Sequence, residues 1–284
     1  MSFWILQVLN GVSYGSLLFL LAAGLSLIFG LMRIINLAHG SFFMLGAYIG
    51  LAVIEASGSF YLGLIVGVTS VALIGAAIQR LLLRRYQHNE LAQVLLTFGL
   101  LLIISNLTLW IWGGLPRSLP KPDTLIGSVS FGTITFPIYR LFIIGIGALA
   151  AIVLWLFIDH TRLGSMVRAG VDDAEMAKGM GINMPGVFTG VFMLGSGMAA
   201  LGGILAGPIV GVHTGLDFEV LLLAFVVVVI GGLGSIRGAF VGAMLVGLLD
   251  SFGKALIPEF ALFTVFVPMA LILAIRPTGL FGRG

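Results

Sequence analysis

The first 32 residues carry no charged side chain, and the same pattern recurs along the chain. Uncharged stretches fill 34–54, 56–79, 91–116, 141–158, 185–216 and 220–236. Crossing the hydrocarbon core of a bilayer takes about 20 apolar residues, so these runs allow about eight or nine crossings. Lipid is therefore the solvent, and the function is something done in or across a membrane. The composition agrees. Charged residues make up 9% of the chain, against about 25% in soluble domains. The expected fold is all-α and polytopic, with about eight or nine transmembrane helices, Gly-rich broken segments and a short helix on the cytoplasmic side.

The breaks between apolar runs carry the charges, and numbering them alternately separates two sides. Arg33, Arg80, Arg84, Arg85, Arg162, Arg168, Lys178, Arg237, Arg276 and Arg283 fall on one; Arg117, Lys121, Arg140 and Lys254 fall on the other. The positive-inside rule makes the first side cytoplasmic. The C-terminus is then inside and, counting nine spans, the N-terminus outside. Segments 219–236 and 238–257 are separated only by a Gly-rich elbow around Arg237, and read as two full crossings or a re-entrant pair. Either reading leaves the parity unchanged. The first 30 residues, with Gly11, Gly15, Gly24 and Gly30, also fit a broken helix.

No linker or charge block divides the chain, so 1–284 is expected to be one transmembrane domain. Residues 113–139 form an outer loop, periplasmic under the resemblance given below, in which SVSFGTITF reads as a small β-hairpin. Residues 159–184 form the most polar segment and lie inside. The start, MSFWILQVLNG, lacks the basic n-region and cleavage site of a signal peptide, so the first span is expected to be retained.

Several chemistries are excluded. With no cysteine, disulfides, zinc–thiolate sites and iron–sulfur clusters are ruled out. There is no dense basic stripe for nucleic acid. No Ser/His/Asp set, HExxH or GxSxG is present, and no His or carboxylate pairs with His39 at metal-ligand spacing. No catalytic or metal site is expected, and neither is a bound cofactor. GxxxxGK[ST] is absent too, so no P-loop binds ATP here. Ionisable groups within the runs are few. Asp250 and Lys254 read as an i,i+4 structural pair, Glu55 as an interfacial residue and His39 as a hydrogen-bonding residue at a helix end. Transport by this chain would then draw its energy from another subunit.

Glycine is the positive signal. There are 41 glycines, about double the usual ~7%. Most read as sites of close helix approach. Gly231-Gly232-Leu233-Gly234-Ser235 reads differently, because three glycines in four positions weaken a helix by about 1 kcal/mol each relative to alanine. Irregular backbone at membrane depth persists only where protein or a watery cavity satisfies it. This elbow is a candidate gate. In the inner loop, Ser165 is a candidate helix cap and Pro185 a candidate start for the next span. Between them, Ala169, Gly170, Ala174 and Ala177 alternate with Met166, Val171, Met176 and Met180. That is the composition of a short helix seated in a partner's groove, or of one lying on headgroups. The acidic run Asp172-Asp173-Ala174-Glu175 weighs against an anionic membrane surface.

These residues also carry a resemblance that runs along essentially the whole chain. Its parts are Asn10-Gly11 with Gly15, Ala23-Gly24, Ile35-Asn36-Leu37-Ala38-His39-Gly40, Met44 and Gly46-Ala47-Tyr48. Then come Gly164, Arg168-Ala169, Asp173, Met176-Ala177 and Gly181-Ile182-Asn183. Last are Gly231 to Ile236 with Gly238-Ala239, and Arg276-Pro277 with Gly279-Leu280-Phe281-Gly282. Together they make the chain similar to the permeases of branched-chain amino acid ABC transporters, the LivH-type half of the pair. The resemblance implies a companion permease, two cytoplasmic ATPases that bind ATP and Mg, a periplasmic binding protein and residence in a bacterial inner membrane. It implies a coupling helix in the inner loop, with Arg168, Ala169, Asp172, Asp173, Met176, Ala177 and Gly181 as its contact residues. Glu175 stands where the family commonly has a basic residue, and Lys178 where it has a small polar one. Asn36, His39, Gly40, Gly231, Gly232, Gly234 and Ser235 are the candidate path and gate residues. The competing reading is a self-powered carrier or channel, which predicts a midplane carboxylate or inverted repeats with broken helices. The weak similarity between 24–50 and 229–248 keeps a repeat open. A membrane enzyme is the third reading, and it lacks a catalytic set.

Overall fold

A computed structural model describes residues 2–87, 89–132 and 134–282. Helix α1 (Ser2–Met32) is followed by α2 (His39–Ser57), α3 (Phe60–Leu81) and α4 (Glu90–Trp112). A β-hairpin of β1 (Ser128–Phe131) and β2 (Ile134–Pro137) leads into α5 (Ile138–His160). Two short helices come next, α6 (Arg162–Asp172) and α7 (Ala174–Gly179). The chain ends with α8 (Met184–Val210), α9 (Leu216–Gly231), α10 (Ile236–Leu256) and α11 (Ala261–Ile275). Eight helices among the described residues are long and apolar enough to cross a membrane. The fold is all-α and polytopic.

Local chemistry sets many of the boundaries. Side chains of Ser59, Asn89, Thr161, Asp173, Asn183 and Ser235 each accept a backbone N–H in the first turn of the helix that follows. Such caps satisfy amides that have no partner inside the helix. Pro185 stands in the first turn of α8, as expected. Thr161 rather than Ser165 caps α6, so the inner helix starts four residues earlier than the sequence suggested. The first 30 residues form one continuous helix, not a broken one. The break falls after it. Arg33 takes a left-handed φ of 53°, the one non-glycine residue to do so among the described residues, and turns the chain back into the bundle. Its cation there also suits the negative end of α1.

The bundle is organised around α1, which is mostly buried from Gly11 onward. Helix α10 packs along it through Gly11, Gly15 and Gly247, and α8 crosses it where Gly24 meets Gly195. Gly24 lies opposite Gly195 and Leu20 opposite Gly202, so α1 and α8 run antiparallel. Their surroundings correspond. Helix α3 packs on α8 as α10 packs on α1; α2 touches α8, α3 and α4 as α9 touches α1, α10 and α11. The structure is thus an inverted repeat, α1–α4 against α8–α11, with α5 to α7 between them. The register is not the 24–50 with 229–248 that the sequence hinted at. In the structural register, the whole of 2–112 corresponds to 184–275.

Following the helix directions places Arg33, Arg80, Arg84, Arg85, Arg162, Arg168, Lys178, Arg237 and Arg276 at one end of the bundle, here the first face. Arg283 lies outside the described residues. Arg117, Lys121, Arg140 and Lys254 lie at the second face. The outer loop folds over that face. Its hairpin pairs Ser128 with Pro137 and Phe131 with Ile134, as SVSFGTITF suggested, although Thr133 lies outside the described residues. Leu119 is buried against Gly207, Arg117 exchanges backbone hydrogen bonds of 2.8 and 2.7 Å with Val212, and its side chain lies 3.6 Å from Glu55.

Candidate functional site

The glycine elbow is a true helix break. Helix α9 ends at Gly231 and α10 begins at Ile236. Gly232 and Gly234 have φ of 103° and 78°, a region that side chains disfavour. Ser235 caps α10 by accepting from the Gly238 amide at 3.0 Å. The last carbonyls of α9 are met by the C-terminal tail: Leu280 N–H donates to Ile230 and Phe281 N–H to Gly231, both at 2.9 Å. The elbow therefore lies at the first-face end of the bundle, where Gly234 meets Gly30 of α1, and these last carbonyls of α9 are satisfied by protein. Helix α9 is short, about 24 Å at 1.5 Å per residue, against a core of about 30 Å. So 219–236 is not a full-length span.

Beside the elbow, a groove of about 1450 Å³ opens on the first face. Its walls include Ser26, Gly30 and Arg33 of the α1 end, Asp159 of α5, Arg168 of α6 and Gly234, Ser235 and Arg237 of the elbow region. The rest is largely apolar. At its mouth, Arg237 donates to Asp159 at 3.1 Å, and Arg168 lies 3.8 Å from the same carboxylate.

Asn36, His39 and Gly40 lie elsewhere, fully buried inside the bundle. Asn36 Oδ1 accepts from the Ala38 amide at 3.2 Å, closing the return from Arg33. His39 Nε2 donates to the Leu21 carbonyl at 3.0 Å. Leu21 lies 11 residues from the end of α1, so α2 starts about 16 Å below the first face. Gly40 packs directly on the backbone of Asp217, at the start of α9. Two helix N-termini from opposite repeats thus meet inside the bundle. Asp217 is 1% exposed and accepts from Ser41 Oγ at 3.1 Å. Asp217 is a buried carboxylate that the sequence reading did not single out. It was hidden because it stands between two uncharged runs, where a charge marks a loop. The signal was available: Gly215, then Asp217 and Glu219 before an apolar run, is an acidic helix start.

The inner loop folds as two helices, not one. Thr161 begins α6, and Asp173 ends it and starts α7, accepting from the Glu175 and Met176 amides at 2.9 Å. Gly181 turns the chain with φ of 88°. Met176 and Met180 are exposed, whereas Gly170 and Ala177 are buried against the bundle. Ala169 is half-buried, and Asp172 lines the groove. Of the residues read as a partner contact, Ala177 therefore faces inward. Asp159 was missed altogether; its signal is an acid in the last turn of a helix, the end that disfavours negative charge.

Comparison with known proteins fits this architecture. Residues 7–276 match the family described as the branched-chain amino acid transport system / permease component. The chain is 29% identical to the high-affinity branched-chain amino acid transport system permease protein LivH of Salmonella typhimurium, covering 99% of this chain and 96% of that one. It is 29% identical to the corresponding BraD protein of Pseudomonas aeruginosa, over 98% and 95%. A relative in Methanocaldococcus jannaschii, named a probable branched-chain amino acid transport permease, is 24% identical over 97% and 92%. The fold is similar to the structure of PsaBC from Streptococcus pneumoniae in complex with Fab, with a TM-score of 0.51, 16% identity and coverage of 94% and 89%. The chain belongs to the permease component family of branched-chain amino acid transport systems.

Proposed function

We propose that this chain is one membrane subunit of an ATP-driven importer in a bacterial inner membrane, carrying a branched-chain amino acid or a related small solute. It works with a companion permease, two ATPases that bind ATP and Mg, and a periplasmic binding protein. The chain itself is non-catalytic. The first face is cytoplasmic, since it carries nine of the described basic residues against four on the other; the N-terminus is then outside and the C-terminus inside. The observation that carries the reading is the α6–α7 unit. It projects from the same face as the elbow and groove, fastens to the bundle through Gly170 and Ala177, and leaves Met176 and Met180 exposed. An ATPase docked there sits next to the break that a gate needs. Substrate delivered at the second face passes by alternating access, with Gly231 to Ser235 as the hinge of the gate.

Two observations favour a self-powered carrier instead: the buried Asp217 and the inverted repeat. One experiment separates the readings. The chain is purified from its native membrane in mild detergent and its companions are identified by mass spectrometry. Recovery of a P-loop ATPase and a second permease is expected. Recovery of the chain alone, stable and homo-oligomeric, rejects the importer and returns attention to Asp217.

A further inference from the structure

We propose that Asp159 is a positioning residue that passes movement of α6 to the glycine elbow; this rests on the importer reading above. Its carboxylate, in the last turn of α5, is shared by two cations from different elements. Arg168 belongs to α6, and Arg237 is the second residue of α10, immediately after the break. The three meet at the mouth of the groove.

The mechanics follow from packing. Helix α6 cannot slide freely on α5, because a Cβ at Gly164 would lie 2.2 Å from the Phe157 carbonyl oxygen and 2.3 Å from that of Ile158. On its other side, Gly170 seats against Leu31 and Met184, at the ends of α1 and α8. A push on α6 therefore displaces the ends of α1, α5 and α8 together. The elbow is also closely packed, with Gly234 against Gly30 of α1 and Gly232 against Gly282 of the tail. Its two left-handed glycines permit rotation, and on the groove side it is tied to α5 through Arg237. A displaced Arg168 leaves the shared carboxylate to Arg237, or competes with it, so the position of α10's first turn follows that of α6.

Stability does not explain this arrangement. Arg168, Asp159 and Arg237 are 42%, 32% and 76% exposed, and pairs so exposed contribute little to folding. A carboxylate at a helix C-terminus also opposes the helix dipole. Asp250 and Lys254 form the contrast: a 2.8 Å pair within one helix, far from the groove, whose lysine otherwise meets the Tyr14 ring of α1 at 5.3 Å.

The test uses the whole importer, purified with its companion permease and ATPases and reconstituted in liposomes with the binding protein. Uptake of leucine, isoleucine or valine is measured against ATP hydrolysed. Asp159→Asn and Arg237→Gln are each expected to lower uptake per ATP about tenfold, a typical coupling between sites, and Asp159→Glu to restore it. Lys254→Gln is expected to leave the ratio unchanged. A parental ratio in the Asp159→Asn complex, or a fall that Asp159→Glu does not reverse, overturns the proposal. Should Asp159→Asn fail to assemble, the exposed Arg237 decides: a parental ratio in Arg237→Gln overturns it equally. A parent complex that neither contains an ATPase nor hydrolyses ATP defeats the importer reading instead.

Discussion

Gly203 has no side chain because there is no room for one. A Cβ there would lie 1.9 Å from the carbonyl oxygen of Phe43, on α2. Gly145, on the exposed side of α5, meets nothing within 4 Å. Alanine at Gly203 is expected to cost about 1–3 kcal/mol or more through overpacking, whereas alanine at Gly145 leaves stability unchanged or raises it by up to about 1 kcal/mol. Thermal unfolding of the two variants in detergent checks this, and equal midpoints would contradict the packing described. Asp217 makes the opposite kind of demand. It is buried and relies on Ser41. Ser41→Ala removes that donor and is expected to destabilise the protein by about 1–3 kcal/mol, the cost of stranding a buried polar group. A parental unfolding midpoint would show that Asp217 is satisfied from its helix start alone.

Helices α6 and α7 show what a short element must supply when it cannot bury a core of its own. Each begins on a side-chain cap, and each sends small residues inward. Leu163, Met176 and Met180 face outward, 58%, 64% and 79% exposed. Such apolar residues on the first face fit a protein contact better than solvent. Met176→Glu is therefore expected to leave insertion and unfolding of the chain unchanged while reducing ATPase recovered with it about tenfold or more; undiminished recovery would place the ATPase contact elsewhere. The sequence made this element visible because polarity in a hydrophobic chain is conspicuous, and the elbow because three close glycines are. It concealed the rest for the same reason. Uncharged runs mark what lies in lipid but not where a helix starts, so Ile34 to Ala38 read as part of the run 34–54, although they belong to a non-helical return held by Asn36 and Thr97. Periodicity was no help, since the most central helices are apolar on every side. Asp159 and Asp217 both stood at run boundaries, where charge is ordinary; only tertiary packing shows one joining three elements and the other buried between two repeats.

At the scale of the whole molecule, the repeat is informative where it fails. Ser59 caps α3 and Ser235 caps α10, equivalent positions in the two halves, and each follows a left-handed glycine, Gly58 or Gly234. Both junctions begin with the same turn, Gly58 N–H to the Ile54 carbonyl and Gly232 N–H to the Val228 carbonyl, each at 2.8 Å, but after the first α3 starts only two residues later. The second is opened by extra glycine and completed by a distant segment, the tail after α11. Gly279 lies against the Val229 carbonyl and Gly232, while Leu280 and Phe281 bond to Ile230 and Gly231. Symmetry is broken at the one junction that faces the groove and the docking helices. If the tail is what holds this junction in one conformation, ending the chain after Arg276 strands two carbonyls of α9. Each unmade bond is expected to cost about 1–3 kcal/mol, partly recovered by water from the groove. The loss is local, so amides of 229–236 should exchange with solvent about tenfold faster or more, while those of α1 and α8 keep parental rates. Uniform acceleration would mean the tail stabilises the whole bundle, and unchanged exchange at 229–236 would mean the elbow holds itself. Between those outcomes lies the arrangement a gate requires: a rigid scaffold of two repeats with one junction whose order depends on a removable strap.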